Sequence, residues 1–139
     1  MAGKSDVLEQ ELLTFLFNGT AISLPANFYI ALHSADPTDA GNQTANEVTT
    51  AEYDNYARQA VVRTAGGWTV TPPDTVNPVA EIAFPAATGG TGVTANFWSV
   101  GELTTGTGKI YYHGPITPPI VIANGVQPKP TTATNVTED

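Results

Sequence analysis

The chain has 139 residues, with 13 Asp or Glu, 5 Lys or Arg, two His and no Cys. That length supports one domain that buries roughly 65–70% of its unfolded surface without staples, and the missing cysteine excludes a disulfide framework, a thiolate nucleophile and a Cys-ligated zinc site. The net charge of −8 argues against binding a nucleic-acid backbone. No apolar run approaches the roughly 20 residues of a membrane span and no signal-peptide pattern opens the chain, so synthesis and assembly in the cytoplasm are expected.

Ser5 is a good N-cap, Asp6 and Glu9 complement the positive end of a helix, and Leu8, Leu12, Phe15 and Leu16 recur at helical spacing up to the stop signal Asn18-Gly19. The pattern predicts one short helix over residues 5–18. Its apolar stripe either packs against the rest of the fold or forms an arm that docks on a neighbouring subunit. A strand follows at Phe28-Tyr29-Ile30-Ala31-Leu32-His33-Ser34, breaks at Asp36-Pro37 into a long polar loop, and pairing material resumes around Tyr56–Val62. Further short apolar runs at residues 59–64, 68–71, 79–84, 94–100, 109–113 and 119–122 are separated by Gly- and Pro-rich turns, among them Thr104–Gly108 and Gly89–Gly92. The pattern predicts an all-β class, a single β-sandwich or jelly-roll-like domain spanning 1–139, with its β core over 27–122. Residues 123–139 read as an extended C-terminal segment. The Pro128–Asp139 stretch has so few apolar residues that it should be mobile, and deleting residues 129–139 should spare the fold.

Candidate chemistry is sparse. His33 and Ser34 are consecutive in a strand and point to opposite faces, so they cannot act together as base and nucleophile. Gly106-Thr107-Gly108-Lys109 lacks the first glycine and the Ser/Thr of a phosphate loop, with Leu103 and Ile110 in their places. Asp36, Gly41 and Glu47 stand at positions 1, 6 and 12 of an EF-hand-like window, but Pro37, Ala40 and the flanking strands disagree with it; a proline or Asx turn at Asp36-Pro37 accounts for the residues better. Neither cofactor nor metal is implied. Arg58 and Arg63 stand out in an acidic chain. Arg58 either lays its stem along the sheet with its head in water, or grips a carboxylate, Asp36, Asp39 or Glu47, and so pins the long loop or a subunit contact. Trp68, Trp98, Tyr111 and Tyr112 are core residues or interface anchors.

The segments "VLEQELLTFLFNGTAISLPANFYIALHSADPTDAG", "NEV", "YARQAV" and "YYHGPIT" occur in that order. In this the chain resembles a family of small tailed-bacteriophage proteins called tail-fibre-like, which some virions use as capsid cement. The resemblance covers most of the chain and thins after Val121. It implies a structural virion protein without catalysis, most simply a decoration protein on the outer capsid surface. Its partners would be the major capsid protein and copies of itself, as a homotrimer, with no nucleic acid and no membrane. On that reading Leu8, Leu12, Phe15, Arg58, Trp68, Trp98, Lys129 and Pro130 are candidate interface residues, and Asp36, Asp39 and Glu47 candidate loop contacts. The alternatives are a tail fibre or tail-associated protein contacting the host surface, favoured less by the lack of repeats and coiled-coil stalk, and a carbohydrate-binding module with exposed aromatic faces. Low charge and abundant Thr, Gly and Pro suit a chain packed against neighbours.

Overall fold

Ser5 opens the helix as the sequence predicts: its backbone is extended, and its hydroxyl accepts the Leu8 amide at 3.3 Å. In the computed structural model, which describes residues 3–130 and 135–138, helix α1 spans Asp6–Asn18. Gly19 ends it with φ 70°, a left-handed conformation that costs a residue without Cβ little. Its amide returns to the Phe15 carbonyl at 3.2 Å.

The remaining elements are strands β1 (Gly3–Lys4), β2 (Asn27–His33), β3 (Gln59–Val62), β4 (Trp68–Thr71), β5 (Thr75–Pro78), β6 (Val93–Gly101), β7 (Ile110–Ile122) and β8 (Val136–Thr137). They form two antiparallel sheets, one of five strands in the order β1-β7-β6-β2-β3 and one of three in the order β4-β5-β8. Among the described residues the fold is an all-β sandwich with one helix. Between the layers lie Ile30, Leu32, Trp98 and Val100 from the large sheet and Val136 from the small one, together with Tyr53 and Phe84 from connecting segments.

Alternation along β2 explains why both of its faces are buried. Ile30 and Leu32 face the sandwich core, while Ala31 and His33 face the other way, where the long loop after β2 covers them. That loop is held by isolated bridges, His33 to Glu47 and Asn42 to Lys109, and by Gln43, whose side chain is sealed from solvent. Gln43 accepts the Leu103 amide at 2.9 Å and donates to the Leu103 carbonyl at 3.1 Å. A Cβ on Gly101 would lie 2.2 Å from Gln43 Nε2, so only glycine lets the loop approach the sheet this closely.

Three expectations change. The runs at 109–113 and 119–122 belong to one strand, β7, whose pairing with β6 is bulged between the Phe97–Pro115 and Ala95–Ile120 partners. Prolines are tolerated there because β1, the second neighbour of β7, pairs only with Tyr112 and His113, leaving the proline stretch on an edge. The 79–84 run is not a strand. Ile82 and Phe84 do enter the core, but the Phe84 amide bonds the Pro128 carbonyl at 3.0 Å instead of joining a ladder. The period of 2 reported burial, which an extended segment achieves without a sheet.

The third change concerns the C-terminal segment, which is not a free tail in its described residues. Gly125 and Val126 exchange backbone bonds with Ala87, Pro128 and Pro130 are buried, and β8 pairs with β5. Val136 sits in the core, and Glu138 accepts hydrogen bonds from Lys4 and Tyr112. Together, Val136 and Glu138 tie the end of the chain to both sheets.

Candidate assembly surfaces

The residues singled out by sequence divide into an internal clamp and two unfilled apolar features. The clamp is built on Arg58, just before β3. Its Nε and one terminal nitrogen each donate to Glu47 at 2.7 Å, and the terminal nitrogens also donate to the carbonyls of Leu103 and Gly106 at 2.9 Å. The Tyr56 hydroxyl donates to the same Glu47 carboxylate at 2.9 Å. Of the three carboxylates considered for Arg58, Glu47 takes the fork, and the pair joins the end of the long loop to the β6–β7 hairpin. Burial, and then the Glu47 charge, push the Tyr56 hydroxyl far above its usual range. The phenol therefore stays neutral and donates.

Asp36 and Asp39 secure the other end of the loop. Asp36 accepts the Thr38 amide at 2.9 Å, an Asx turn. His113 on β7 donates from Nε2 to Asp39 at 2.9 Å and places Nδ1 3.3 Å from Asp36. The Asp39 carbonyl also accepts the Asp6 amide, so the loop helps to hold the first turn of α1. With Glu47 gripped by Arg58 and Asp36 by Thr38, the EF-hand-like window does not converge. Among the described residues no three His, Asp or Glu side chains gather as a metal set.

His33 finds its partner across the sheet, not next to it in sequence. Its Nδ1 donates to the Ala45 carbonyl at 2.8 Å, leaving Nε2 to accept from the Ser99 hydroxyl at 2.8 Å. Both side chains are wholly buried. Burial holds the His33 pKa below the ordinary imidazole value, against the opposing effect of the Ala45 carbonyl and the Glu47 charge. The pair is a neutral bridge between β2 and β6, sealed from any substrate.

Several residues expected at an interface are turned inward. Leu8 and Trp98 are core residues, Arg58 is spent on Glu47, and Pro130 is buried. Lys129 is exposed and lies 3.8 Å from Glu81. Leu12 is half-buried and Phe15 half-exposed, because α1 is anchored at its beginning. Ser5 bonds to Ile110 and Tyr111, Lys109 pairs with Glu11, and Leu8 is the helix's buried residue. Beyond this anchor Leu13, Leu16 and Phe17 are 58%, 68% and 81% exposed. Sequence reasoning missed Leu13 and Phe17 because they fall off the stripe through Leu8, Leu12 and Phe15. The signal was present in the run Leu12–Phe17, which is apolar around most of the helix, a pattern of helices buried on several sides.

The second apolar feature is a cavity of about 650 Å³ between strands of the two sheets, lined by Phe28, Trp68, Val70, Val76 and Tyr112, with Arg63 and Glu138 as its charged members. The Phe28 ring meets Trp68 edge-on at 6.2 Å and Tyr111 at 5.3 Å. Tyr111 reaches it because the β6–β7 register, Val100 to Tyr112 and Gly101 to Ile110, leaves Tyr111 as the extra residue of a bulge. Burial, and then Glu102 and Glu11, push the Tyr111 hydroxyl up to about 12. Trp68 Nε1 is buried with no hydrogen-bond partner among the described residues. Burial disfavours the Glu138 charge, yet hydrogen bonds from Lys4 and Tyr112 hold its pKa below the usual carboxylate value.

A β-sandwich that exposes a run of large apolar residues at one helix end, and whose polar groups are tied up in internal clamps, has the features of a structural assembly module. Residues 3–137 match the family model of the podophage GP4 fiber I protein gp80. The chain belongs to that family and is a phage structural protein of the fibre type. No curated protein matches it.

Proposed function

We propose that the protein is a fibre-type building block of a podophage tail, working as an assembly of copies of itself without a catalytic step. The observation that carries this reading is the family match over residues 3–137, nearly the whole chain, to a fiber protein. The exposed apolar end of α1 supports self-assembly, because such surface on a domain otherwise well packed needs a partner to cover it. Capsid cement, bridging major capsid protein subunits, is the second reading. A net charge of −8 favours an outer location away from the genome, and cement would act by binding the assembled shell but not its separated subunits.

Copy number per virion separates the two. Quantitative mass spectrometry of purified particles should find this chain far less abundant than the major capsid protein, and particles lacking it should retain their genome on heating but fail to adsorb to host cells. A copy number comparable to the capsid protein, with early genome release and normal adsorption, would replace the tail reading by cement.

A further inference from the structure

The two apolar features on this chain complement one another. The last turn of α1 offers Leu13, Leu16 and Phe17 to solvent, and in the same molecule the cavity lined by Phe28, Trp68, Val70 and Val76 stands open. Since the helix end is exposed, it does not fill the cavity of its own chain. We infer that the C-terminal end of α1 from one copy inserts into the Phe28–Trp68–Val70 cavity of the next, joining copies head to tail.

Size, polarity and charge each support a second copy as the occupant. A cavity of about 150 Å³ already accepts a benzene ring, so one of about 650 Å³ has room for Phe17 and its leucine neighbours. A helix C-terminus has surplus acceptors, and Arg63 on the cavity wall keeps guanidinium N–H groups beyond the Nε that it gives to Pro25. Gly19 and Thr20 occupy the carbonyls of Phe15 and Thr14, leaving the carbonyls after them beyond the capping bonds. The helix C-terminus carries partial negative charge, and α1 has no basic residue in its last turn to balance it. Arg63, its Nε fixed by the Pro25 carbonyl at 2.7 Å, lines the cavity and brings a positive charge, while Glu138, which also lines it, is already paired with Lys4. Because knob and hole are different surfaces, the joint is heterologous; repeated, it closes a ring or runs on as a filament.

The inference rests on the self-assembling reading above, and sedimentation velocity of purified full-length protein tests the two separately. Phe17→Asp removes the knob and Val70→Asp the hole; both residues are exposed, at 81% and 71%, so each variant should fold with an unchanged circular dichroism spectrum. Each alone should associate roughly thirtyfold more weakly, as expected for loss of a central anchor. Mixed together, they should form a complex that stops at two chains, since one intact joint remains. Val121→Asp, an equally exposed control on β7 outside the cavity, should assemble like the wild type. Assembly unaffected by both variants, dissociation by the control as well, or a mixture that fails to pair would overturn the joint while leaving self-assembly standing. Wild-type protein that stays monomeric at high concentration would remove both.

Discussion

Glu47→Gln tests whether the Arg58 clamp holds the long loop to the sheet. The Arg58 and Glu47 side chains are only 3% and 13% exposed, so water cannot replace a lost partner. Removing one member of a buried ion pair costs about 3–5 kcal/mol. Glutamine keeps the shape and one acceptor but turns its amide protons toward the guanidinium, so the cost should fall near the lower end, about 3 kcal/mol. For a domain of this size that lowers Tm by about 10 °C. Arg58→Met should cost a similar amount, because the Leu103 and Gly106 carbonyls lose their donors as well. The double variant should lose less than the sum, with a coupling of about 2 kcal/mol or more. The assay is a double-mutant cycle from urea unfolding, with thermal melts alongside. Single changes that each cost under about 1 kcal/mol, or that add within about 0.5 kcal/mol, would refute the clamp.

Truncation after Pro130 removes Val136 from the core and Glu138 from Lys4 and Tyr112, so it should destabilise the domain by at least about 2 kcal/mol and increase dye binding to the newly opened apolar surface; an unchanged urea midpoint would show that the end of the chain contributes nothing. His33 has a folded-state pKa below its unfolded value of about 6.5, so its neutral bridge contributes fully above that pH and is lost as pH falls through the folded value. Between about pH 7.5 and 5.5 the wild type should lose stability more steeply than His33→Gln, by up to about 1.4 kcal/mol per pH unit below 6.5. Parallel slopes in urea titrations would assign the loss to other groups.

Local chemistry made much of this protein legible. The cap at Ser5 and the stop at Gly19 fix α1, and period-2 patterning places β2, β4 and β6 close to their observed bounds, since capping and alternation act over a few residues. The same patterning could not tell the extended 79–84 segment from a strand. Both bury alternate side chains, and the difference lies in where the backbone bonds go.

Which residues meet was decided at longer range. That Glu47, and not Asp36 or Asp39, takes Arg58, that His33 pairs with Ser99, and that Val136 belongs to the core are facts of contacts bridging 11, 66 or more residues. By itself the sequence determined a small acidic all-β domain with one N-terminal helix and the ordered motifs of a phage family. Only the tertiary structure decided that the helix is anchored by its first turns and leaves its apolar end uncovered, because exposure depends on which neighbours arrive from distant parts of the chain and not on the pattern within the helix.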